Sequence, residues 1–511
     1  MKKICKKLLC LGLGAILTTT MMSGCGGSKR TEIDSNALTI WASQVLPESS
    51  LQNYTESPFH MGLAEQVDRE LVWEFPITGT SADQAFNLMI AGGELPDIII
   101  HNISDAQSYI DQGLILSLNE YMEAGKMPNL KKFLEENPEV DKEIKTDQGN
   151  YYMFPWCRED DWLTVFRGPA VRQDWLEECG LEAPVTLEDY DNVVRVFNKK
   201  YGAKFAALDG WLSEGISVAF DAKRGYYLED GQIKYSPVEE GYREYLEFMN
   251  GWYKDGLLDA DIPSIDQDTM QKKVLNNEVG VAFTTGSQMV KWQEASDEVG
   301  NGAKWIGTSY PRKNKNANVK FSQMSAKVNG LGGMITSSCK DIDKALEILD
   351  YAYGEEGFLY WNFGIEGETY TMVDGEPIYT DVIKKADIGM IAAIDQHCGT
   401  QWAAPAVQAK GMYVQKVGDT VVEAVDTWID KTDAKEHLLP RLSPTQEETD
   451  AISNMETTLG DYVGASHYGF IFGEQELNDD TWKAYLDKIE EIGLQQILDT
   501  KQRQLERYNN R

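Results

Sequence analysis

Three features of the sequence predict an α/β architecture. Short apolar or alternating runs recur between segments of helical periodicity, as in layered folds where strands and helices alternate. Ile98-Ile99-Ile100 is apolar without interruption, as expected of a strand covered on both faces. The chain has 511 residues, of which about 475 follow an atypical amino-terminal stretch. That is enough for two substantial cores or one large two-part body.

Taken in order, Ala37–Trp41 reads as a first strand and Glu70–Phe75 as a second. Ala82–Ile90 places Phe86, Met89 and Ile90 on one helical face, and Gly92-Gly93 ends that helix. Leu95-Pro96-Asp97 leads into the Ile98–Ile100 strand. A further strand is expected at Tyr151–Phe154, closed by Pro155. Val171–Cys179 reads as a short helix stopped by Gly180. Thr186 is placed to cap the next helix, with Asp189 three residues on approximating a capping box. Tyr190, Val193, Val194 and Phe197 supply its apolar stripe. Strand and helix signals continue around Phe205–Leu208, Tyr242–Tyr253, Val279–Phe283 and Ala345–Ala352. From about Val414 the reading is mostly helical, ending in a long Trp482–Tyr508 stretch. No repeat with a period of 20–50 residues and no low-complexity segment is present.

The amino terminus reads as an export signal. Lys2, Lys3, Lys6 and Lys7 precede a ten-residue apolar run, Leu8–Leu17. That run is half of the roughly 20 residues a membrane-spanning helix needs, and it suits a cleaved secretory segment of residues 1–24. Met22-Ser23-Gly24-Cys25 resembles the bacterial lipobox, with Met22 where Leu is usual, and this implies a diacylglycerol on Cys25. Residues 25–36 are small, polar and aperiodic, a flexible tether with a reach of roughly 15–20 Å. The expected placement is therefore the outer face of the cytoplasmic membrane, with membrane contact through the lipid anchor only.

Composition narrows the partners. With 48 Lys+Arg against 82 Asp+Glu the formal charge is −34, which repels nucleic acid and anionic lipid. Cys157, Cys179, Cys339 and Cys398 are widely spaced and form no C-x-x-C pair, so spacing assigns no disulfide. The five histidines are scattered, and no EF-hand loop, P-loop, G-x-S-x-G or H-E-x-x-H is present. No metal, cofactor or catalytic residue is expected. Glu366 and Glu368 are close enough to suggest a glycosidase pair, but read better as part of a turn.

Several segments together resemble the family 1 extracellular solute-binding lipoproteins, particularly the long members that serve oligosaccharide importers. Gly92–Ile98 resembles the family's G-x-L-P-D-I turn, and Gln148–Pro155 its G-K-x-Y-x-x-P hinge strand. Arg172–Leu176, Gly180-Leu181 and Pro184–Thr186 resemble R-x-D-W-L-x-x-L-G-x-x-x-P-x-T. Gly364–Tyr370 with Asp374-Gly375 resembles G-x-E-G-x-x-Y-x-x-x-D-G. Gly460–Tyr462 and Phe470–Gly473 are similar to the closing helices. The ordered set spans nearly the whole chain after the tether. It implies a two-lobed periplasmic-binding-protein-like fold of type II, with ligand held between the lobes. By that resemblance, residues 37–156 and 303–355 form the amino-terminal lobe. Residues 157–302 and 356–511 form the carboxy-terminal lobe with its helical tail. The chain should cross near Pro155–Trp162, Gly302–Ile306 and Tyr353–Phe358.

The implied function is capture of an extracellular carbohydrate by a monomer, for delivery to ABC permease subunits. Sugar pockets combine aromatic walls with a few oriented polar groups, and 13 Trp, 24 Tyr and 16 Phe supply the material. Ends of strands in α/β lobes face the ligand crevice. That places Trp41 and Ser43 after the first strand, and His101 and Asn102 after the Ile98–Ile100 strand. Trp156 and Arg158 follow the hinge proline, Trp211 ends a strand, and Gln288 follows Val279–Phe283. Trp361 and Trp402 are assigned to the ligand by family position. Trp73 and Trp175 are read as core. A peptide or uronate-type ligand is the alternative within binding proteins. The acidic chain disfavours an anion unless Arg158 or Arg172 overturns it locally. A secreted lipoprotein glycosidase and a sensory lipoprotein are alternatives of other classes.

Overall fold

The computed structural model describes residues 36–43, 57–77, 79–208, 212, 214–400 and 405–511. Its strands are, in chain order, β1 (Leu38–Ala42), β2 (Leu71–Glu74), β3 (Ile98–Asn102), β4 (Phe154–Arg158), β5 (Arg167–Arg172), β6 (Lys204–Ala207) and β7 (Tyr226–Glu229). They continue with β8 (Gln232–Tyr235), β9 (Val279–Thr285), β10 (Trp305–Gly307), β11 (Val328–Ile335), β12 (Tyr370–Val373), β13 (Glu376–Tyr379) and β14 (Val407–Gln408). They build two main sheets, each with helices packed against it, and two hairpins.

The first sheet has the order β14-β4-β11-β3-β1-β2. β1 runs parallel to β2 and β3, β14 runs parallel to β4, and only β11 is antiparallel to its neighbours. Five strands therefore end on one edge, at Ala42, Glu74, Asn102, Arg158 and Gln408. Ile98, Ile99 and Ile100 are at most 2 % exposed, as their unbroken apolar run predicts. Asp97 joins the strands by accepting hydrogen bonds from Thr39 N–H and O–H, both at 2.8 Å, and from Lys340 N–H at 2.9 Å. The helix at Ala82–Gly92 is capped by Ser81 and stops at Gly93, whose φ of 73° suits glycine.

The second sheet has the order β10-β5-β9-β6. Its core is built by the Leu187–Tyr201 helix, whose Tyr190, Val193, Val194 and Phe197 are all buried, and by Trp175. Both halves of the Thr186/Asp189 capping box form. Gly280 on β9 is required by close approach, since a Cβ there would lie 2.6 Å from Phe197 and Trp175. The Asp419–Ile429 helix covers β5 and β10, with Trp428 donating its indole N–H to Pro169 O at 3.0 Å. Three helices, Gln446–Ile471, Asp479–Ile492 and Leu494–Asn509, close the chain; the first packs on Glu240–Lys254 and the last on β8.

Four details differ from the sequence expectations. Pro155 lies inside β4 rather than closing a strand at Phe154, beside a register shift between Val328 and Gly332 where a missing N–H is tolerated. Trp305–Gly307 pairs with β5 in the second sheet, and Tyr310, Val319 and Phe321 pack in the same core, so the second passage lies within 322–327 rather than starting at 303. Residues beyond 355 stay with the first lobe, because Val407–Gln408 adds an edge strand to its sheet. The third passage is thus 409–418. The long closing stretch is two helices broken at Gly493, whose φ is 114°.

Candidate ligand cleft

The corresponding edge of the second sheet is where Arg167 at the start of β5 pairs with Thr285 at the end of β9 and Ala207 at the end of β6 pairs with Phe283. The passage 159–166 connects the two edges directly. On the first wall, Trp41 packs against His101 with ring centroids 5.7 Å apart and against Phe86 at 6.2 Å. Trp41 and His101 are buried. His101 Nε2 lies 3.5 Å from Asp83, and its Nδ1 has no partner among the described residues. Burial lowers the His101 pKa, against an upward pull from Asp83. Ser43 is held by its N–H to Ile100 O at 2.9 Å. Asn102 is exposed; it donates to Asn329 O at 3.2 Å and accepts from Arg441 at 2.5 Å.

Trp156 and Arg158 project as a pair from β4. The indole donates its N–H to Thr400 O at 3.0 Å and is 2 % exposed. The Arg158 guanidinium lies 4.8 Å over that ring and donates to Ala326 O at 2.9 Å. Burial lowers its pKa, with Tyr413 nearby. The acids that follow in sequence turn to the passages. Glu159 accepts from Lys410 N–H at 2.7 Å, and Asp160 accepts from Trp162 N–H at 2.6 Å.

On the second wall, Gln288 opens the Gly286–Val299 helix. Its backbone N–H bonds the capping Thr285 hydroxyl at 3.2 Å, and its amide donates to Gln267 at 2.7 Å. Beside it, Arg167 pairs with Glu214 at 2.8 Å. Burial raises the Glu214 carboxyl above the usual carboxylate range, against the pull of Arg167, Lys223 and Arg224.

The structure therefore brings Trp41, Ser43, His101, Asn102, Trp156 and Arg158 to one edge of the first sheet, and Gln288 to the helix that follows β9 in the second. Trp361 does not join them. It is a core residue on the Glu355–Phe363 helix, 2 % exposed and edge-on to Phe59 at 4.8 Å. Trp156 belongs to the wall but is covered, so it supports Arg158 rather than presenting a free face. Trp211, Trp402 and Cys25 lie outside the described residues. Arg167, Glu214 and Arg441 were not anticipated. Arg167 carried a weak signal, standing at the start of a strand just past the hinge; Arg441 carried none. Among the described residues, no His/Cys/Asp/Glu group is placed to hold a metal, the four cysteines are free thiols, and no helix is long and apolar enough to cross a membrane.

The comparisons with known proteins agree with this architecture. Lipoprotein LipO of Bacillus subtilis is 25 % identical over 408 residues, covering 74 % of this chain and 76 % of its own. The fructooligosaccharide ABC transporter substrate-binding protein FusA of Streptococcus pneumoniae is 24 % identical over 458 residues, covering 83 % and 82 %. Among solved structures, the HMO-binding, ABC-transporter-associated solute-binding protein of Bifidobacterium longum infantis superposes with a TM-score of 0.75. It is 17 % identical and covers 93 % of this chain and 99 % of its own. The family model for bacterial extracellular solute-binding protein matches residues 57–357, and the chain belongs to that family.

Proposed function

We propose that the chain captures an oligosaccharide between its two lobes and delivers it to the permease of an ABC importer. The observation that carries this reading is the pair of strand-end edges, one on each main sheet, joined by the passage 159–166 and furnished with aromatic and planar polar side chains. Such edges close on a ligand that touches both, and the ligand's greater affinity for the closed state shifts the population toward it. FusA, similar over four fifths of both chains, carries a name that states this task for fructooligosaccharides. The finer elements of the proposal are the lipid on Cys25, attachment at the outer face of the cytoplasmic membrane, a monomeric state and the absence of catalysis.

Thermal unfolding of the full chain in detergent against a panel of mono- and oligosaccharides tests this. A ligand confined to the folded state at 100 times its Kd adds roughly 2.7 kcal/mol and raises the midpoint. The expected result is a rise with one saccharide class that Trp211→Ala erases. A rise with peptides alone, or turnover of a glycan abolished by Glu214→Gln, overturns the proposal.

A further inference from the structure

Arg158 is half-buried and, unlike Arg172, Arg312 and Arg167, has no counter-ion among the described residues. Arg172 holds Asp174 at 2.6 Å and Asn277 at 2.7 Å, Arg312 holds Asp430 at 2.9 Å, and Arg167 holds Glu214. Arg158 has no carboxylate within ion-pair distance among the described residues, and its guanidinium has one hydrogen-bond acceptor there, Ala326 O. In a chain carrying 82 acidic residues, this is not for want of acids. Glu159 and Asp160 stand next in sequence, yet both carboxylates are engaged by the Lys410 and Trp162 backbone, with Lys410 Nζ 3.8 Å from Asp160. A cation partly withdrawn from water without a counter-ion loses solvation that the fold does not return. The fold nevertheless holds it at the strand-end edge, over the Trp156 ring, with four N–H groups left for something else.

We propose that Arg158 is the anchor for a carboxylate on the ligand, so that the captured saccharide contains uronate residues. The inference rests on the carbohydrate reading above and narrows it. A guanidinium presents a planar fork that matches a carboxylate through two parallel N–H···O bonds. Trp156 lies beneath it, its ring centroid 4.8 Å from the guanidinium carbon, and Thr400 O holds Trp156 in turn. The acidic surface sets no bar, because the incoming carboxylate meets a guanidinium whose fork is open; Arg441 at the same edge also lacks a carboxylate, but its fork is taken by Tyr152, Asn102 and Ile103 O.

Calorimetric titration of the full chain in detergent tests this with trigalacturonate, triglucuronate and trimannuronate. Each is compared with its methyl ester and with the neutral trisaccharide of the same linkage. At least one acidic trisaccharide should bind, with its ester at least 10-fold weaker and an affinity that falls with added salt. Arg158→Gln should weaken the acid at least 10-fold more than its ester, removing that preference, and Arg158→Lys should retain part of it. The unfolding midpoint of each ligand-free variant verifies folding. Neutral trisaccharides binding while the acids do not, or Arg158→Gln weakening acid and ester alike, overturns the inference and leaves carbohydrate capture standing. No heat with any of these, while neutral saccharides from the wider panel raise the midpoint, overturns it as well. Silence from every saccharide removes both.

Discussion

Trp156 has both of its interaction modes taken, its N–H by Thr400 O and its ring face by Arg158. It is also packed in the core of the first lobe. Trp156→Ala should therefore lower the unfolding free energy by about 3–5 kcal/mol, the usual cost of emptying a large aromatic site. Urea denaturation of the ligand-free protein measures this; a loss below about 1 kcal/mol would show that the ring is not held as described. It follows that Trp156→Ala alone cannot distinguish ligand contact from support. Trp156→Phe does better, keeping most of the ring volume while removing one hydrogen bond worth about 1 kcal/mol. The placement of Trp41, His101 and Arg158 at strand ends was legible from the sequence. What remained hidden was pairing. The Arg167–Glu214 contact joins residues far apart with no shared motif. The isolation of Arg158 is masked by the acids that follow it, and only backbone direction shows that they turn away.

The closing helices illustrate what an element owes to its ends. Leu494–Asn509 packs on β8 of the second lobe, but its terminus reaches the Glu143–Asp147 turn of the first. Arg511 bonds Asp147 at 2.7 Å with a side chain only 1 % exposed. Arg507 bonds Asp147 and Glu448, each at 2.7 Å, and Tyr508 donates to Glu143 at 2.8 Å. Asp147 keeps Arg507 when Arg511 is removed, so Arg511→Ala should cost about 1.5–3 kcal/mol, the usual worth of hydrogen bonds to a charged group. It should also speed amide exchange across residues 143–150 more than across β9. Uniform exchange in the variant would mean the terminus does not secure that turn. Elements with strong local signals were legible: the Ile98–Ile100 strand, the capped Leu187–Tyr201 helix and the helical close of the chain. Those defined by tertiary pairing were not. Val407–Gln408 is two residues long and becomes a strand only because β4 offers it an edge. Trp305–Gly307 is three residues long and is assigned to a lobe only by its pairing with β5. Both misplaced passages follow from these two short strands.

At the scale of the whole molecule, a buried histidine in one lobe and a half-buried one in the other make acid a common threat to both. In the second lobe, His467 is 1 % exposed, with Nδ1 2.7 Å from the Tyr242 hydroxyl and its ring 5.8 Å from Tyr245. Burial holds its pKa down to about 3, with Arg224 pulling the same way. In the first lobe, His60 bonds the capping Ser57 and packs edge-on to Trp73 at 4.6 Å; burial lowers it to about 4. Unfolded, each takes its proton near pH 6.5; folded, neither does until near 4 or 3. The unfolded chain thus binds more protons below pH 6.5, and stability, fully present above that value, is lost as pH falls toward the folded values. At 1.36 kcal/mol per pH unit, a fully buried histidine withdraws about 2 kcal/mol between pH 6.5 and 5. His467 approaches that limit; His60, partly exposed, withdraws less. Glu143, Glu214 and Asp350 act oppositely, because burial raises their folded pKa and protonation relieves them as pH falls. A single acid titration of the protein mixes the two signs, so the test is a difference. Urea unfolding at pH 7 and pH 5 should show the unsubstituted chain losing about 1–2 kcal/mol more than His467→Gln. The glutamine keeps a hydrogen-bonding group near Tyr242 but has no proton to gain. Equal losses would mean that His467 is already protonated, or solvated, in the folded protein, and that the packing of Gln446–Ile471 against Glu240–Lys254 is looser than the buried ring requires.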